Sequence, residues 1–190
     1  MIEPGEQEHE QRLVQRLRDG DRAAMHELIV RYRQPLTRLV ARLTGWSADT
    51  EDLVQDAFAA ALEGAGRFRG DSRLATWLTR IAINICRGYQ RRKRLWGVFK
   101  RNAAKQGEFD SVDASQRSIQ DDRAVRVRQI VQQMRSRYRE VVVLHYLQEI
   151  SLDEVAKILR ISQNAVEVRL HRARKKLAET LGSLIEQENG

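Results

Sequence analysis

Apolar residues recur at steps of three and four along almost the whole chain, and no stretch alternates between apolar and polar residues over a sustained length. Steps of three and four place side chains on one face of an α-helix, whereas half-buried strands require alternation. Proline occurs at 2 of the 190 positions and glycine at 11, so few residues interrupt the pattern. The sequence therefore predicts an all-α fold. The clearest apolar stripe comprises Leu74, Trp77, Leu78, Ile81, Ala82, Ile85 and Tyr89.

The helical pattern fails in the middle of the chain, from Arg91 to about Asp122. This stretch opens with a basic run and continues with small and acidic residues, and it sustains no apolar helical face. Such a composition is typical of a flexible linker. We therefore predict two small helical domains, at residues 10–95 and 123–185, joined by a flexible linker at residues 96–122, with a helix-turn-helix in the C-terminal domain.

The helix-turn-helix is predicted from two helix starts that lie close together. The Ser151 to Glu154 stretch has the spacing of a capping box, and Ser162 can cap a second, basic helix after a short break at Arg160. In such a unit the second helix enters the major groove of DNA. An ordinary solvated helix face is the alternative. The predicted DNA-facing residues are Ser162, Asn164, Glu167, Val168, His171, Arg172 and Lys175.

A second basic surface lies opposite the apolar stripe of the 74–89 helix. It mixes guanidinium groups with uncharged hydrogen-bonding groups, which suits a nucleic-acid backbone and exposed bases. The pattern alone leaves an ordinary solvated face equally open. The residues on this surface are Arg73, Thr76, Arg80, Asn84, Arg87 and Arg91.

A third surface is acidic and lies on the helix predicted to begin near Ser47 or Asp49. The chain has a formal net charge of +8 and a pI of about 10.1, which favours a polyanionic partner. Acidic residues grouped on one face therefore indicate a separate, positively charged partner. A metal site or acid–base chemistry is the alternative. The group comprises Asp49, Asp52, Gln55, Asp56 and Glu63.

Other site classes have little support in the sequence. Cys86 is the single cysteine, which excludes an intramolecular disulfide and a cysteine metal cluster, and we predict no metal, cofactor or catalytic residue. The first ten residues are acidic without an apolar run, unlike a signal peptide, and no stretch has the roughly 20 apolar residues of a membrane span. We expect a cytoplasmic protein without membrane insertion.

Several motifs resemble one family when they are taken in order. Residues 49–58 (DTEDLVQDAF) resemble the polymerase-binding motif of bacterial sigma factors. Residues 68–72 (FRGDS), with 76–78 (TWL) and 81–84 (IAIN), are similar to the promoter-melting region of the extracytoplasmic-function (ECF) group of the sigma-70 family. Residues 138–177 are similar to that group's C-terminal promoter-binding domain. By this resemblance the chain is identified as an ECF sigma factor, with region 2 at residues 10–95 and region 4 at residues 123–185.

The resemblance implies partners and roles rather than bond chemistry. Core RNA polymerase would bind Asp49, Asp52, Gln55 and Asp56, and the C-terminal helix would bind the minus-thirty-five element through the DNA-facing residues given above. An anti-sigma factor would control the chain. The unwound minus-ten element would be held by Phe68, Arg69, Gly70, Asp71, Ser72, Arg73, Arg80, Asn84 and Arg87.

The chain departs from the family pattern at the C-terminal helix. Many members have glycine at the position of Arg160, and a non-glycine residue in a left-handed turn costs on the order of 1 kcal/mol. Asn164 and Ala165 stand where glycine and threonine are frequent. Glu167 and Val168 stand where polar or basic residues are frequent, which alters the expected promoter sequence. Glu167 is suited to accept a hydrogen bond from cytosine N4.

Two other classes of protein remain as alternatives at this point. A DNA-binding regulator could use the helix-turn-helix and sense a signal with its N-terminal half, although no strand pattern supports a receiver domain. A nuclease or recombinase would need a nucleophile or a carboxylate metal site near the basic surface, and the acidic group lies on a different helix.

Overall fold

The computed structural model describes the backbone of residues 4–68, 70, 72–103 and 119–188, and most of their side chains. These residues form α-helices, a 3₁₀ turn at Ala65–Arg67 and a π-helical turn at Val143–Leu147, and none of them lies in a strand. The predicted all-α class is confirmed. The helices are α1 (Pro4–Arg18), α2 (Arg22–Thr44), α3 (Thr50–Gly64), α4 (Leu74–Ala103), α5 (Ile119–Gln133), α6 (Ser136–Val142), α7 (Leu152–Leu159) and α8 (Gln163–Glu188).

The N-terminal domain packs α1, α3 and α4 around α2. Leu28 of α2 and Leu78 of α4 are fully buried, and Ala57 of α3 allows the helices to approach closely. Each lies on an apolar stripe with a helical period, so burial of these stripes drives the packing. Asp21 begins α2 by accepting a hydrogen bond from the backbone N–H of Ala23 at 2.8 Å. Gly45 ends it at φ +80°, a conformation that glycine adopts without strain.

The C-terminal domain contains the predicted helix-turn-helix. Ser151 accepts a hydrogen bond from the Glu154 N–H at 3.3 Å at the start of α7, and Ser162 accepts one from the Ala165 N–H at 3.2 Å at the start of α8. Arg160 lies between the two helices at φ 54° and ψ 49°, in the left-handed region. Both predicted caps are present, and a charged residue occupies the turn that often contains glycine.

Helix extends from both sides into the stretch predicted as a linker. Helix α4 continues to Ala103, and α5 begins at Ile119. The arginine and lysine residues after Gln90 are good helix formers, so α4 can continue without an apolar face to bury. Leu95 and Trp96 on this extension are 56% and 70% exposed. The rest of the predicted linker, residues 104–118, lies outside the described residues.

The two domains are in direct contact. Helices α2 and α4 of the first pack against α6, α7 and the π-helical turn of the second. At the end of α2, the Arg42 carbonyl accepts from Gln132 Nε2 at 2.7 Å, and the Leu43 carbonyl accepts from Arg139 Nη1 at 2.9 Å. Side chains from one domain therefore satisfy the last carbonyls of a helix in the other.

Candidate polymerase- and DNA-binding sites

The predicted polymerase-binding face lies on α3 and is open to solvent. Asp52, Gln55 and Asp56 are exposed, while Leu53 and Val54 on the opposite face are buried. Within the described part of the chain, these three polar side chains form no hydrogen bond or ion pair. The helix therefore presents uncompensated carboxylates on a chain whose net charge is +8.

Asp49 precedes α3 and is held by two hydroxyl groups. Its carboxylate accepts from the Tyr89 hydroxyl at 2.8 Å and from Ser47 Oγ at 3.0 Å. The Tyr89 hydrogen bond, followed by the Ser47 hydrogen bond, lowers the pKa of Asp49 from its ordinary value. Asp49 is the N-cap residue of α3, in agreement with one of the two predicted starts, but its side chain forms no capping hydrogen bond. Its negative charge is instead fixed beside α4.

The predicted minus-ten residues begin in the turn before α4. Phe68 is 7% exposed and its ring packs on Trp77 with the centroids 5.0 Å apart. Its side chain supports the turn and is not a surface that DNA can reach in this structure, contrary to our expectation. Gly70 lies at φ +79°, Ser72 is half-buried and Arg73 is exposed. Arg69 and Asp71 lie outside the described residues.

Two residues of α1 position this turn and the start of α4. A carboxylate oxygen of Glu10 accepts a hydrogen bond from the Leu74 N–H at 3.0 Å, which satisfies a free donor at the beginning of α4. The Arg18 guanidinium donates to the carbonyls of Ala65 and Phe68. The sequence analysis missed both roles, because contacts between α1 and a turn more than forty residues away leave no local pattern.

The basic surface of α4 differs from the predicted one at Thr76, which is 7% exposed and belongs to the core side of the helix. Asn84 is exposed, and its Oδ1 accepts from Arg87 Nη1 at 3.4 Å. Arg80 donates to the Lys157 carbonyl of α7 through Nε at 3.2 Å and Nη2 at 2.8 Å. The C-terminal domain therefore occupies part of the predicted minus-ten surface.

Arg87 is engaged more strongly, by Glu140 of α6. Its Nε and Nη2 donate to the two carboxylate oxygens of Glu140 at 2.7 Å and 2.6 Å, a bidentate pair. The Glu140 hydrogen bond raises the pKa of Arg87 above its ordinary value. Glu140 directly precedes the apolar run at residues 141–144, and its side chain is 5% exposed. A carboxylate at the edge of such a run was the one sequence signal for this contact.

The predicted minus-thirty-five face on α8 is accessible. Val166, Leu170 and Ala173 are buried on the side that packs on α6 and α7. Gln163 Nε2 donates to Glu167 at 3.2 Å, which orients that carboxylate at the start of the helix. The other side carries every residue that we predicted to face DNA on this helix, all of them exposed: Asn164, Glu167, Val168, His171, Arg172 and Lys175, with Ser162 exposed at the cap.

Outside these surfaces, the described residues contain few groups that could carry other chemistry. Cys86 is buried, and burial raises its pKa to about 12, so the thiol stays protonated. Among the described side chains, no group of three or more histidine, cysteine, aspartate or glutamate residues could hold a metal ion. None of the helices in the described ranges combines the length and the apolar character that a membrane crossing requires.

Comparison with known proteins decides the family. Residues 28–95 match the family model for sigma-70 region 2, and residues 124–177 match the model for sigma-70 region 4. The ECF RNA polymerase sigma-E factor of Escherichia coli is 32% identical, with 95% of this chain and 98% of that protein covered. This chain is an ECF sigma factor. The resemblance of the sequence motifs to ECF sigma factors is confirmed.

Other relatives agree with this assignment. The ECF sigma factor SigM of Mycobacterium tuberculosis is 33% identical over 87% of this sigma factor and 81% of its own length. The RNA polymerase sigma-H factor of Pseudomonas aeruginosa is 28% identical over 95% of this chain and 98% of its own. Each match spans both halves of the sigma factor.

Solved structures show a similar arrangement of helices. CnrH, solved in complex with the cytosolic domain of CnrY, matches with a TM-score of 0.66 and 27% identity over 92% of this sigma factor and 97% of that chain. The Bartonella quintana sigma factor RpoE, solved in complex with the anti-sigma factor NepR, matches with a TM-score of 0.61 and 24% identity. It covers 83% of this chain and 96% of its own, and supports the fold alone.

Proposed function

We propose that this sigma factor carries core RNA polymerase to promoters and starts transcription there. In this proposal α3 binds polymerase, the turn before α4 and the basic surface of α4 hold the unwound minus-ten strand, and α8 binds the minus-thirty-five duplex. Region 2 occupies residues 10–95 and region 4 occupies residues 123–185, so each domain carries one DNA-binding element.

The acidic face of α3 is the observation that carries the proposal. A protein that only bound DNA would not be expected to expose Asp52, Gln55 and Asp56 together, since carboxylates repel phosphates. A positively charged protein surface satisfies them. The face lies on a different helix from both basic surfaces, so polymerase and DNA can be held at the same time.

The two DNA-binding elements suit different forms of DNA. The exposed face of α8 starts at a helix N-terminus and carries Asn164 and Glu167 for base edges, with Arg172 and Lys175 for phosphates, as expected for a helix in the major groove. The surface of α4 has guanidinium groups around Asn84, which suits a strand whose bases have left the duplex.

The sigma factor itself breaks and forms no bonds in this proposal, and it needs no cofactor. Its side chains bind, orient and separate DNA strands, while the polymerase performs the chemistry. We propose that it acts in the cytoplasm and that an anti-sigma factor controls it. The structure of CnrH with the cytosolic domain of CnrY supports control by a protein partner.

The test is transcription by sigma-free core polymerase on fragmented DNA from the source organism. Adding the sigma factor is expected to produce discrete starts that share two spaced upstream elements. In parallel, Asp56→Arg reverses a charge on the α3 face and is expected to abolish binding to core polymerase, measured by fluorescence anisotropy.

Glu179→Arg is the matched control, because it makes the same charge change at an exposed site on α8 outside the proposed polymerase surface. It should leave polymerase binding unchanged, and circular dichroism should show that both variants are folded. An absence of new starts, together with equal polymerase binding by Asp56→Arg and the unaltered chain, would contradict the proposal.

A further inference from the structure

A cleft of about 360 Å³ lies where α4, α6 and α8 meet, and we call it the arginine cleft. Among its described lining residues are five arginines and one acid. Its volume is at the lower end of the range of small-molecule sites and is too small to take in a DNA duplex. The arginines are Arg87, Arg91 and Arg94 of α4, Arg137 of α6 and Arg169 of α8.

The acid of the cleft is Glu140, and it is bonded to one of the arginines. Its carboxylate oxygens accept from Nε and Nη2 of Arg87 at 2.7 Å and 2.6 Å, and its side chain is 5% exposed. This bidentate pair carries no net charge. Within the described part of the chain, the other four arginines form no ion pair with an acid. The cleft therefore has an excess of positive charge.

Ionisable groups beside the cleft respond to its positive charge. Burial is the main cause that lowers the pKa of Arg139, and the charge of Arg94 lowers it further, against the opposing effect of Glu140. The hydrogen bond from Arg172 is the main cause that lowers the pKa of Tyr138, and the charge of Arg137 adds to it. Both shifts indicate a positive electrostatic potential, which a bound anion would offset.

Part of the cleft wall is shared with a close-packed junction behind it. Ser136 Oγ donates to Gln90 Oε1 at 2.8 Å, and Gln90 Nε2 donates to the Leu43 carbonyl at 2.9 Å. The junction beyond these side chains is too tight to admit a water molecule. An anion in the cleft would therefore not meet water on this side, and a wall of low dielectric constant strengthens its attraction to the arginines.

The charge and size of the cleft fit a short chain of phosphates. Guanidinium groups bind phosphate oxygens in a bidentate manner. Near pH 7 a terminal phosphate carries about 1.5 to 2 negative charges, and a phosphate within a chain carries about 1. Three linked phosphates therefore match the four arginines that have no acid partner. A strand of DNA spreads its charges along an extended backbone and brings fewer of them into so small a space.

We propose that the arginine cleft binds an oligophosphate anion, such as a triphosphate group, through the four arginines that have no acid partner. The ligand is defined by its phosphate chain, whether that chain is free or attached to a nucleoside. Arg94, Arg137 and Arg169 belong to neither of the proposed promoter-binding sites. The inference is therefore independent of the proposed function.

The first experiment titrates the full-length chain with inorganic tripolyphosphate by isothermal titration calorimetry, without Mg²⁺ and at about 0.15 M salt. Binding is expected to saturate at one anion per chain. Inorganic phosphate at the same ionic strength should bind at least about tenfold more weakly, because it makes fewer charge-assisted hydrogen bonds. Equal affinities of phosphate and tripolyphosphate, or no saturable binding of tripolyphosphate and ATP, would overturn the proposal.

Titration with ATP under the same conditions distinguishes the two sources of the phosphate chain. Affinity for ATP equal to or below that for tripolyphosphate supports a free phosphate chain as the ligand. Tighter binding of ATP supports a nucleotide, since the nucleoside then contributes contacts of its own. Both results support the site.

The second experiment locates the binding. Arg94→Gln and Arg169→Gln each remove one guanidinium group and should weaken tripolyphosphate binding by about tenfold. Arg92→Gln on α4 and Arg174→Gln on α8 are the matched controls, because they make the same charge change at exposed sites outside the described lining. They should change the affinity by less than about twofold, since salt screens exposed charges. Equal losses in the controls would indicate binding to diffuse charge and overturn the proposal.

Circular dichroism should show that all four variants are folded. Arg94 is exposed, so its variant provides the answer if the half-buried Arg169 proves necessary for folding.

A third titration separates the cleft from DNA binding. A short single strand of DNA without a terminal phosphate is added to the same variants, and its affinity should change no more in the cleft variants than in the controls. If both cleft variants lose as much affinity for the strand as for tripolyphosphate, the cleft is part of a DNA-binding surface and the inference is wrong. The proposed function is tested by polymerase binding and new transcription starts, so its failure would be seen separately.

Discussion

Helices α4 and α8 carry the same kind of sequence pattern, an apolar stripe opposite a basic surface. Their basic surfaces nevertheless differ in how far the rest of the protein covers them. On α8, Asn164, Arg172 and Lys175 are exposed. On α4, Arg80 and Arg87 are bonded to the other domain. The pattern therefore identifies a surface that can bind nucleic acid, while contacts between domains determine whether that surface is available.

The cause lies in what packs against the basic surface of each helix. The apolar stripe of α8 is buried by α6 and α7 of its own domain, so its basic surface faces outward. Helix α4 lies between the domains and is covered on both sides. If α8 and α4 bind the two promoter elements as proposed, the duplex can reach α8 in this structure, whereas the single strand requires a rearrangement to reach Arg80 and Arg87.

The largest effect on stability is expected when a core side chain beneath either helix is truncated. Leu78 of α4 is fully buried and Leu170 of α8 is 3% exposed. Truncation of either to alanine should lower the free energy of unfolding by about 2–5 kcal/mol. The measurement is urea unfolding followed by circular dichroism, in which the midpoint should fall to a lower urea concentration for both variants. Val30→Ala, at a side chain that is 67% exposed, should change stability by less than about 0.5 kcal/mol. An unchanged midpoint in either core variant would contradict a role for that side chain in the core.

A smaller effect is expected at the open α8 surface. If Glu167 accepts from a cytosine N4, Glu167→Ala should remove the preference at one base pair of the minus-thirty-five element, worth about 1–3 kcal/mol. The measurement is competition binding of duplexes in which each base pair is changed in turn, with the free sigma factor. Glu179→Ala lies further along the same helix and should keep the original preference. An unaltered base preference in Glu167→Ala would exclude this carboxylate from base recognition.

The turn between α7 and α8 allows a gain in stability. Arg160 is held in the left-handed region, so Arg160→Gly should stabilise the chain by up to about 1 kcal/mol, measured by urea unfolding. Arg160→Ala is the control, because it also removes the charge near Arg80 and keeps the strained backbone. Equal stability of the two variants would show that charge, and not backbone strain, limits this turn.

The smallest effect concerns Asp49, which connects α3 to α4. Tyr89→Phe removes the hydroxyl that contributes most to its lowered pKa, so this pKa should rise toward the ordinary value of 3.8. A lowered folded pKa stabilises the chain at pH above 3.8, and this contribution is lost as the pH falls through the folded pKa. Carboxyl NMR titration of both chains measures the change. Asp21, whose pKa is lowered by its hydrogen bond with Arg16, is the internal reference, and its pKa should not move. An equal pKa of Asp49 in both chains would rule out the Tyr89 contribution.

The sequence was sufficient for features that depend on neighbouring residues. Ser151 and Ser162 act locally at helix starts, and Arg160 occupies the turn between them, so spacing predicted all three. The exposed face of α8 followed from its helical period. The family assignment followed from the order of several short motifs, each of which alone would have been weak.

Features that depend on distant residues were not predictable. Phe68 and Thr76 were placed on the DNA side, but packing against Trp77 and the core turned them inward. The periodicity of α4 could not show that a second domain would cover Arg87, because Glu140 is 53 positions away. The sequence thus predicted the charged surfaces, but it did not show which of them contact the other domain.

The carbonyls at the end of α2 have no partner within their own helix and are satisfied by side chains from elsewhere. Gln132 and Arg139, from the other domain, donate to the carbonyls of Arg42 and Leu43, shortly before Asp49. These donors offset the partial negative charge at the C-terminus of α2. Separation of the domains would remove them and leave the Leu43 carbonyl with Gln90 alone, so the end of α2 would become more negative.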